Sequence, residues 1–248
     1  MELSDMLLAR MADLANKAIK VGCASSKFIT PSDSQEVTAF FLRRRDVDLS
    51  FDGGFKDAER RRAVFTNPDW GVFDRDELFA ALKITHRQQD DIGHRDILGA
   101  LMSLGLERET IGDIIIAESS AVFVCLPELS GYISENLTKV GNVGVEISRI
   151  SLDDLPAHQE ELTVKTDTVA SLRLDVVLCA AFGLSRTKAS ELIAARKVRL
   201  DHQICLQSKE ININSLFSIR GMGRAKLLEI GGVSRKGKIF IKIGLYSR

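Results

Sequence analysis

The chain has 248 residues, 45% hydrophobic and 27% charged, enough for one large domain or two to three small ones with real cores. No apolar run reaches the roughly 20 residues of a membrane span, and the acidic start Met1-Glu2-Leu3-Ser4-Asp5 lacks the apolar stretch of a signal peptide. The formal net charge is zero, yet residues 171–248 hold 15 Lys+Arg against 5 Asp+Glu while residues 1–170 hold 19 against 29. A tail of net +10 on a body of net −10 points to one part that meets a polyanion while the rest does something else.

Residues 1–81 read as an N-terminal α/β domain, mostly helical. Leu3, Leu7, Leu8, Met11, Leu14, Ala15 and Ala18 recur at helical spacing. Pro31-Ser32-Asp33-Ser34 reads as a turn, with Ser34 capping a helix over 35–45. Val47-Asp48-Leu49-Ser50-Phe51 alternates as a strand does, and Asp52-Gly53-Gly54 breaks it. Nine of the fifteen aromatics lie between Phe28 and Phe79, which gives this region its own core. The triplets Arg43–Arg45 and Arg60–Arg62 interrupt it. The second triplet reads either as a phosphate contact beside Gly53-Gly54 or as part of a salt-bridged surface helix with Asp57 and Glu59.

Residues 82–152 change rhythm. Leu82-Lys83-Ile84-Thr85 suits a strand, and Ile97, Leu98, Leu101, Met102 and Leu104 form a helical stripe ended by Gly105. Asp113–Ile116 and Ala121–Leu126 are apolar β runs around the turn Glu118-Ser119-Ser120. Pro127 opens a helix expected to end near Gly141, and Val143–Ser148 is the expected final strand. The order βαββαβ is the ferredoxin-like plan, shared by many RNA-recognition domains and many unrelated ones. Residues 153–170, with Asp153, Asp154, Pro156, Glu160, Glu161 and Asp167, read as an acidic linker.

Residues 171–248 form a basic α/β unit. Leu174, Val177, Leu178 and Ala181 stripe a short helix that Gly183 ends. Ser185 caps a second helix over 186–196 with Ala189, Leu192 and Ile193 inward. Helices this short need a partner, and the β runs at 198–200, 204–206, 216–220, 225–230 and 239–243 supply it. The remaining polar residues carry the signal. Arg173 opens one helix, and Arg186 and Lys188 open the next, where a helix N-terminus favours phosphate. Lys197 and Arg199 follow. Arg220, Arg224 and Lys226 surround Gly221 and Gly223, whose amides could approach a phosphate. Arg235, Lys236 and Lys238 form a last cluster.

Arg173-Leu174-Asp175…Leu178, Leu184-Ser185-Arg186…Ala189…Leu192-Ile193, Val198-Arg199-Leu200 and Ile219-Arg220-Gly221 resemble the S4-type, or alpha-L, RNA-binding domain over residues 171–220. Two turns depart from it: Asp201-His202 replaces the usual Asn-Gly, and Asn214-Ser215 the usual Gly-Asp. The resemblance implies RNA along the second helix and the loop after it, with Arg173, Ser185, Arg186, Lys188, Arg199 and Arg220 on that surface. Phe51-Asp52-Gly53-Gly54-Phe55, His94–Arg108 with Gly112-Asp113-Ile114, and Arg220-Gly221…Gly223-Arg224 followed by Arg235-Lys236-Gly237-Lys238 are similar to the YlmH family, which includes the cyanobacterial and plastid photosystem II S4 domain proteins. That likeness implies an RRM-like middle domain and association with rRNA or tRNA on the ribosome.

Catalytic signatures are missing. There is no GxGxxG after a strand, no P-loop and no GxSxG. Arg173-Leu174-Asp175 matches the core of a pseudouridine synthase motif without the following Thr-x-Gly, and Gly141-Asn142-Val143-Gly144 has KH-loop spacing but reads as a turn. Asp90-Asp91 and Asp153-Asp154 read as solvated loop pairs, and Phe123 as core. Cys23, Cys125, Cys179 and Cys205 form no CxxC and read as reduced thiols; with four scattered histidines, neither metal nor cofactor is expected.

The expected fold class is α+β and multi-domain: an N-terminal α/β domain, a ferredoxin-like, RRM-like middle domain and a C-terminal S4-type domain with a β extension. The expected protein is a monomeric, non-enzymatic binder of structured RNA (rRNA or tRNA) on the ribosome. It would be cytoplasmic, or stromal in a plastid, with no small-molecule substrate. The alternatives are an RNA-modifying enzyme of pseudouridine synthase or methyltransferase type that uses the tail for targeting, and a protein scaffold for photosystem assembly.

Overall fold

The computed structural model describes residues 3–70, 73–87, 92–117, 119–156 and 162–246. Asp90-Asp91, Glu118 of the expected turn, and Glu160 and Glu161 of the expected linker lie outside these residues. The chain divides into two units, residues 1–158 and 159–248.

In the first unit, α1 (Leu3–Val21) and α2 (Pro31–Phe41) cover a sheet of β1 (Cys23–Ile29), β2 (Asp48–Asp52) and β3 (Arg61–Thr66), in the order β1-β3-β2. Met11, Ala15, Ala18, Val37, Phe41, Ala63 and Phe65 form the core between them. The region is therefore less helical than its sequence suggested. Helix α2 also starts earlier than expected. Pro31 supplies the helical φ at its first position, and Thr30 caps it, accepting from the Asp33 amide at 3.3 Å while the Asp33 carboxylate accepts from the Thr30 amide at 3.0 Å. Such a cap stabilises a helix by about 1 kcal/mol. Ser34 is buried inside the helix and is not its cap.

The Arg60–Arg62 triplet enters the central strand β3, so it is not a surface helix. Arg62 is only 8% exposed. Its guanidinium donates to the Ser26 carbonyl at 2.6 Å, the Ser25 hydroxyl at 2.6 Å and the Leu78 carbonyl, and lies over the Phe79 ring. This arginine holds the fold and is not placed for a phosphate.

A four-stranded antiparallel sheet follows. It comprises β4 (Ala80–Thr85), β5 (Ile111–Ala117), β6 (Ser120–Cys125) and, after a small hairpin of β7 (Lys139–Val140) and β8 (Val143–Gly144), β9 (Glu146–Ile150). Its order is β5-β6-β4-β9, with α3 (His94–Ser103) between β4 and β5 and α4 (Pro127–Asn136) after β6. Helix α4 ends at Asn136, short of Gly141, because Gly141 at φ 58° turns the β7–β8 hairpin. Residues 143–144 belong to that hairpin, and the last strand starts at Glu146. Phe123 is buried at 1% exposure.

Residues 1–81 and 82–152 fall within one compact unit. Phe28 and Val64 of the first sheet share a core with Phe79, Val124 and Leu126. Gly54 makes this approach possible: its φ is +92°, and a Cβ there would lie 2.9 Å from Val124 Cγ1.

The second unit is one six-stranded antiparallel sheet with two helices. Its elements are β10 (Leu162–Val169), α5 (Leu174–Phe182), α6 (Arg186–Ala194), β11 (Val198–Leu200), β12 (Gln203–Ile204), β13 (Leu216–Ile219), β14 (Gly223–Val233) and β15 (Ile239–Tyr246), with strand order β10-β15-β14-β13-β11-β12. Leu174, Val177, Leu178, Ala181, Ala189 and Ile193 of the helices pack on Leu200, Phe217, Ala225, Leu227, Ile241 and Ile243 of the sheet.

One expectation is corrected here. Part of the expected linker is strand β10, paired with β15 along its whole length from Leu162↔Tyr246 to Val169↔Ile239. Gly231-Gly232 lies inside β14, and the turn comes at Ser234–Lys238, where Gly237 takes φ 75°. The two unusual turns hold their geometry. Asp201 and His202 both take positive φ (48° and 69°), as a two-residue hairpin demands, and the Asp201 carboxylate accepts from the Leu216 amide at 2.8 Å. Asn214, at φ 69°, stands where glycine is usual; asparagine is among the few side chains that tolerate this region.

Candidate nucleic-acid interface

The site is built around a carboxylate. Asp175, the second residue of α5, is 3% exposed. Its Oδ1 accepts from Arg173 Nε at 3.1 Å and from the Ser208 hydroxyl, and its Oδ2 accepts from Arg186 Nε at 3.1 Å. Ser208 Oγ in turn accepts the Asp175 amide at 3.1 Å, and the Leu174 amide donates to the Lys209 carbonyl at 2.9 Å, so the 208–211 segment is tied across the start of α5. Burial pushes the Asp175 carboxyl up; Ser208, Arg186 and Arg173 together outweigh that and hold it below the usual carboxylate range. The ionised carboxylate fixes two arginines by Nε, while their side chains stay 46% and 68% exposed. Both Asp175 oxygens are thus engaged within the protein.

Ser185 caps α6, its hydroxyl accepting from the Lys188 amide at 3.2 Å. Arg186 and Lys188 thus flank a helix N-terminus, where backbone amides and the helix dipole favour anions. Lys188 pairs with Glu191 at 3.1 Å, an exposed pair of small worth that a phosphate can displace.

The sheet groups other cations. The Arg220 amide donates to the Lys197 carbonyl at 2.9 Å, which brings these two exposed residues together. The Met222 amide likewise donates within the protein, to the Ile219 carbonyl at 2.9 Å. Arg199 pairs with Ser218, and Ser218 with Arg224. Lys226 lies two residues beyond Arg224 on the same strand. Arg235, Lys236 and Lys238 are exposed at the β14–β15 turn, at about 3.3 Å per residue roughly 30 Å along the strand from Arg224. The twelve expected residues therefore fall in separate groups on the second unit. Asp175, Ser208, Ser218 and Tyr246, which organise these groups, were not among them. The polar Asp175 in an otherwise apolar helix stripe was the available signal.

Among the described residues no group of three or more His, Cys, Asp or Glu is placed to hold a metal ion, and no helix is long and apolar enough to cross a membrane.

An S4-type helix pair on a cationic sheet places the second unit in the class of S4-domain proteins: the S4 domain model matches residues 172–215. A second family model, described as "Putative RNA-binding domain in YlmH", matches residues 80–154. Over 215 residues the chain is 31% identical to "Ribosome-associated protein quality control protein P2" of Bacillus subtilis (strain 168), covering 85% of this chain and 82% of that one. The solved structure "Cell division protein ylmH from Streptococcus pneumoniae" shares the fold, with a TM-score of 0.51 and 20% identity over 63% of this chain and 97% of that one. The chain belongs to the YlmH family.

Proposed function

We propose that this protein binds structured RNA (rRNA or tRNA) through its second unit, acts on the ribosome in the cytoplasm, and catalyses no reaction. The observation that carries this reading is the Asp175 clamp, which holds Arg173 and Arg186 beside the N-terminus of α6. A fixed guanidinium loses less side-chain entropy when it takes a phosphate than a free one does. Ser185, Lys188, Lys197 and Arg220 extend this surface, and Arg235, Lys236 and Lys238 reach a more distant part of the same RNA. Phosphate contacts supply affinity and RNA shape supplies selectivity, since side chains cannot enter the deep groove of A-form RNA. The name of the Bacillus relative supports the ribosomal setting.

In this reading the middle sheet is a ferredoxin-like, RRM-like platform: its strand order and two crossing helices fit that plan. With Phe123 buried, it is not a base-stacking surface of the usual RRM kind. It serves to orient the protein on its partner.

The test is Arg186→Glu, measured by binding to an rRNA or tRNA hairpin. Binding should weaken at least tenfold while the circular dichroism spectrum stays the same. Unchanged affinity would move the site elsewhere.

A further inference from the structure

The sheet of the second unit buries one face under α5 and α6, and strand register dictates what the other face carries. Arg199 stands between buried Val198 and Leu200, so it points away from the helices. Directly opposite partners share a face. The row therefore runs from Arg199 to Ser218, from Ser218 to Arg224, and from Arg224 to Tyr246, whose ring centroid lies 4.0 Å from the Arg224 guanidinium. Tyr246 pairs with Leu162 on the edge strand, so the row crosses five strands.

Two residues along, the same face presents Lys226, Gly244 and Val164, the last 57% exposed. Further along β15 it presents Phe240, 44% exposed. The backbone beside Phe240 is Gly231-Gly232, with the position of a Gly231 Cβ only 3.2 Å from Phe240 Cβ; no side chain from these two residues covers the ring. The carboxylate of Glu229 on this face is paired with Lys242 at 2.6 Å.

This surface combines two chemistries. Its cations call for phosphates, while its apolar and planar groups, Phe240, Val164 and the Arg224–Tyr246 stack, call for flat uncharged partners. A duplex offers the first and hides the second, because its bases are stacked inside. Unpaired nucleotides offer both at once. We propose that this outer face binds a single-stranded segment of RNA. One base stacks on the Arg224 guanidinium, which Tyr246 holds flat, another stacks on Phe240, and phosphates meet Arg199 and Lys226. The proposal rests on the RNA-binding function above and adds unpaired nucleotides to the RNA recognised.

The full chain is titrated by fluorescence anisotropy with two probes, an unstructured oligouridine and a stable RNA hairpin without overhangs. Tyr246→Ala and Phe240→Ala are each expected to weaken oligouridine binding about tenfold and hairpin binding less than about twofold, with Tyr246→Phe retaining both. Phe240 is exposed, so its variant keeps the test decisive even where Tyr246→Ala loosens the fold. Oligouridine binding that is absent in the unsubstituted chain, or unchanged in Phe240→Ala, overturns this inference. Hairpin binding unchanged in Arg186→Glu overturns the structured-RNA reading instead.

Discussion

Asp175 and Arg186, eleven residues apart, join two helices through one 3.1 Å bond from Arg186 Nε to the buried carboxylate. Arg186 is the first residue of α6 and Asp175 the second of α5. The pair fixes the angle of the helix hairpin and the direction of the arginine together, so one substitution should disturb both stability and binding.

Asp175→Asn keeps the shape and removes the charge. Losing charged hydrogen bonds while the amide stays buried should cost about 1–3 kcal/mol, read from urea midpoints, and hairpin affinity should fall severalfold. The effect of pH follows from the depressed carboxyl. Its contribution to stability is fully present above the unfolded value of about 3.9 and is lost as pH falls through the lower folded value. Acid titration of stability should show that loss in the unsubstituted chain and not in Asp175→Asn.

Arg62→Ala removes a buried guanidinium that serves two carbonyls and a hydroxyl. Orphaning those acceptors should destabilise the first unit by about 3 kcal/mol. A midpoint shift close to zero would mean the carbonyls find water.

Gly54→Ala meets two obstacles, the left-handed backbone and the Val124 side chain. The strain should cost about 1–3 kcal/mol, visible as a lower midpoint for the first unit.

Cys125 is fully buried, and burial pushes its thiol up to about 12. It should resist thiol reagents at neutral pH and react only after unfolding. Rapid labelling of Cys125 in the native protein, located by mass spectrometry, would contradict its placement in the core.

Helices with an apolar stripe and a clear stop were legible in the sequence. The α5–α6 pair was marked by Gly183 and Ser185, and its strands by short apolar runs. Strand β1 was hidden because Cys23-Ala24-Ser25-Ser26-Lys27 has few strong β-formers and gains its place by pairing with β3. Strand β3 was hidden behind its arginines, since a buried guanidinium reads as surface until its carbonyl partners are known. Strand β10 was masked by acidic neighbours, although Thr163, Val164, Thr166, Thr168 and Val169 carried a β-forming composition. At the site, the cations could be named one by one from charge and spacing. Their grouping could not, because Arg199 and Arg224 share a face only through the register of the strand between them, which carries Ser218, and Arg173 and Arg186 are joined only through Asp175.

The dependence of RNA affinity on salt tests phosphate contact by the second unit most directly. With about six cations engaged, the logarithm of the binding constant should fall against the logarithm of salt concentration with a slope of about −4 to −5. A slope near zero would contradict it.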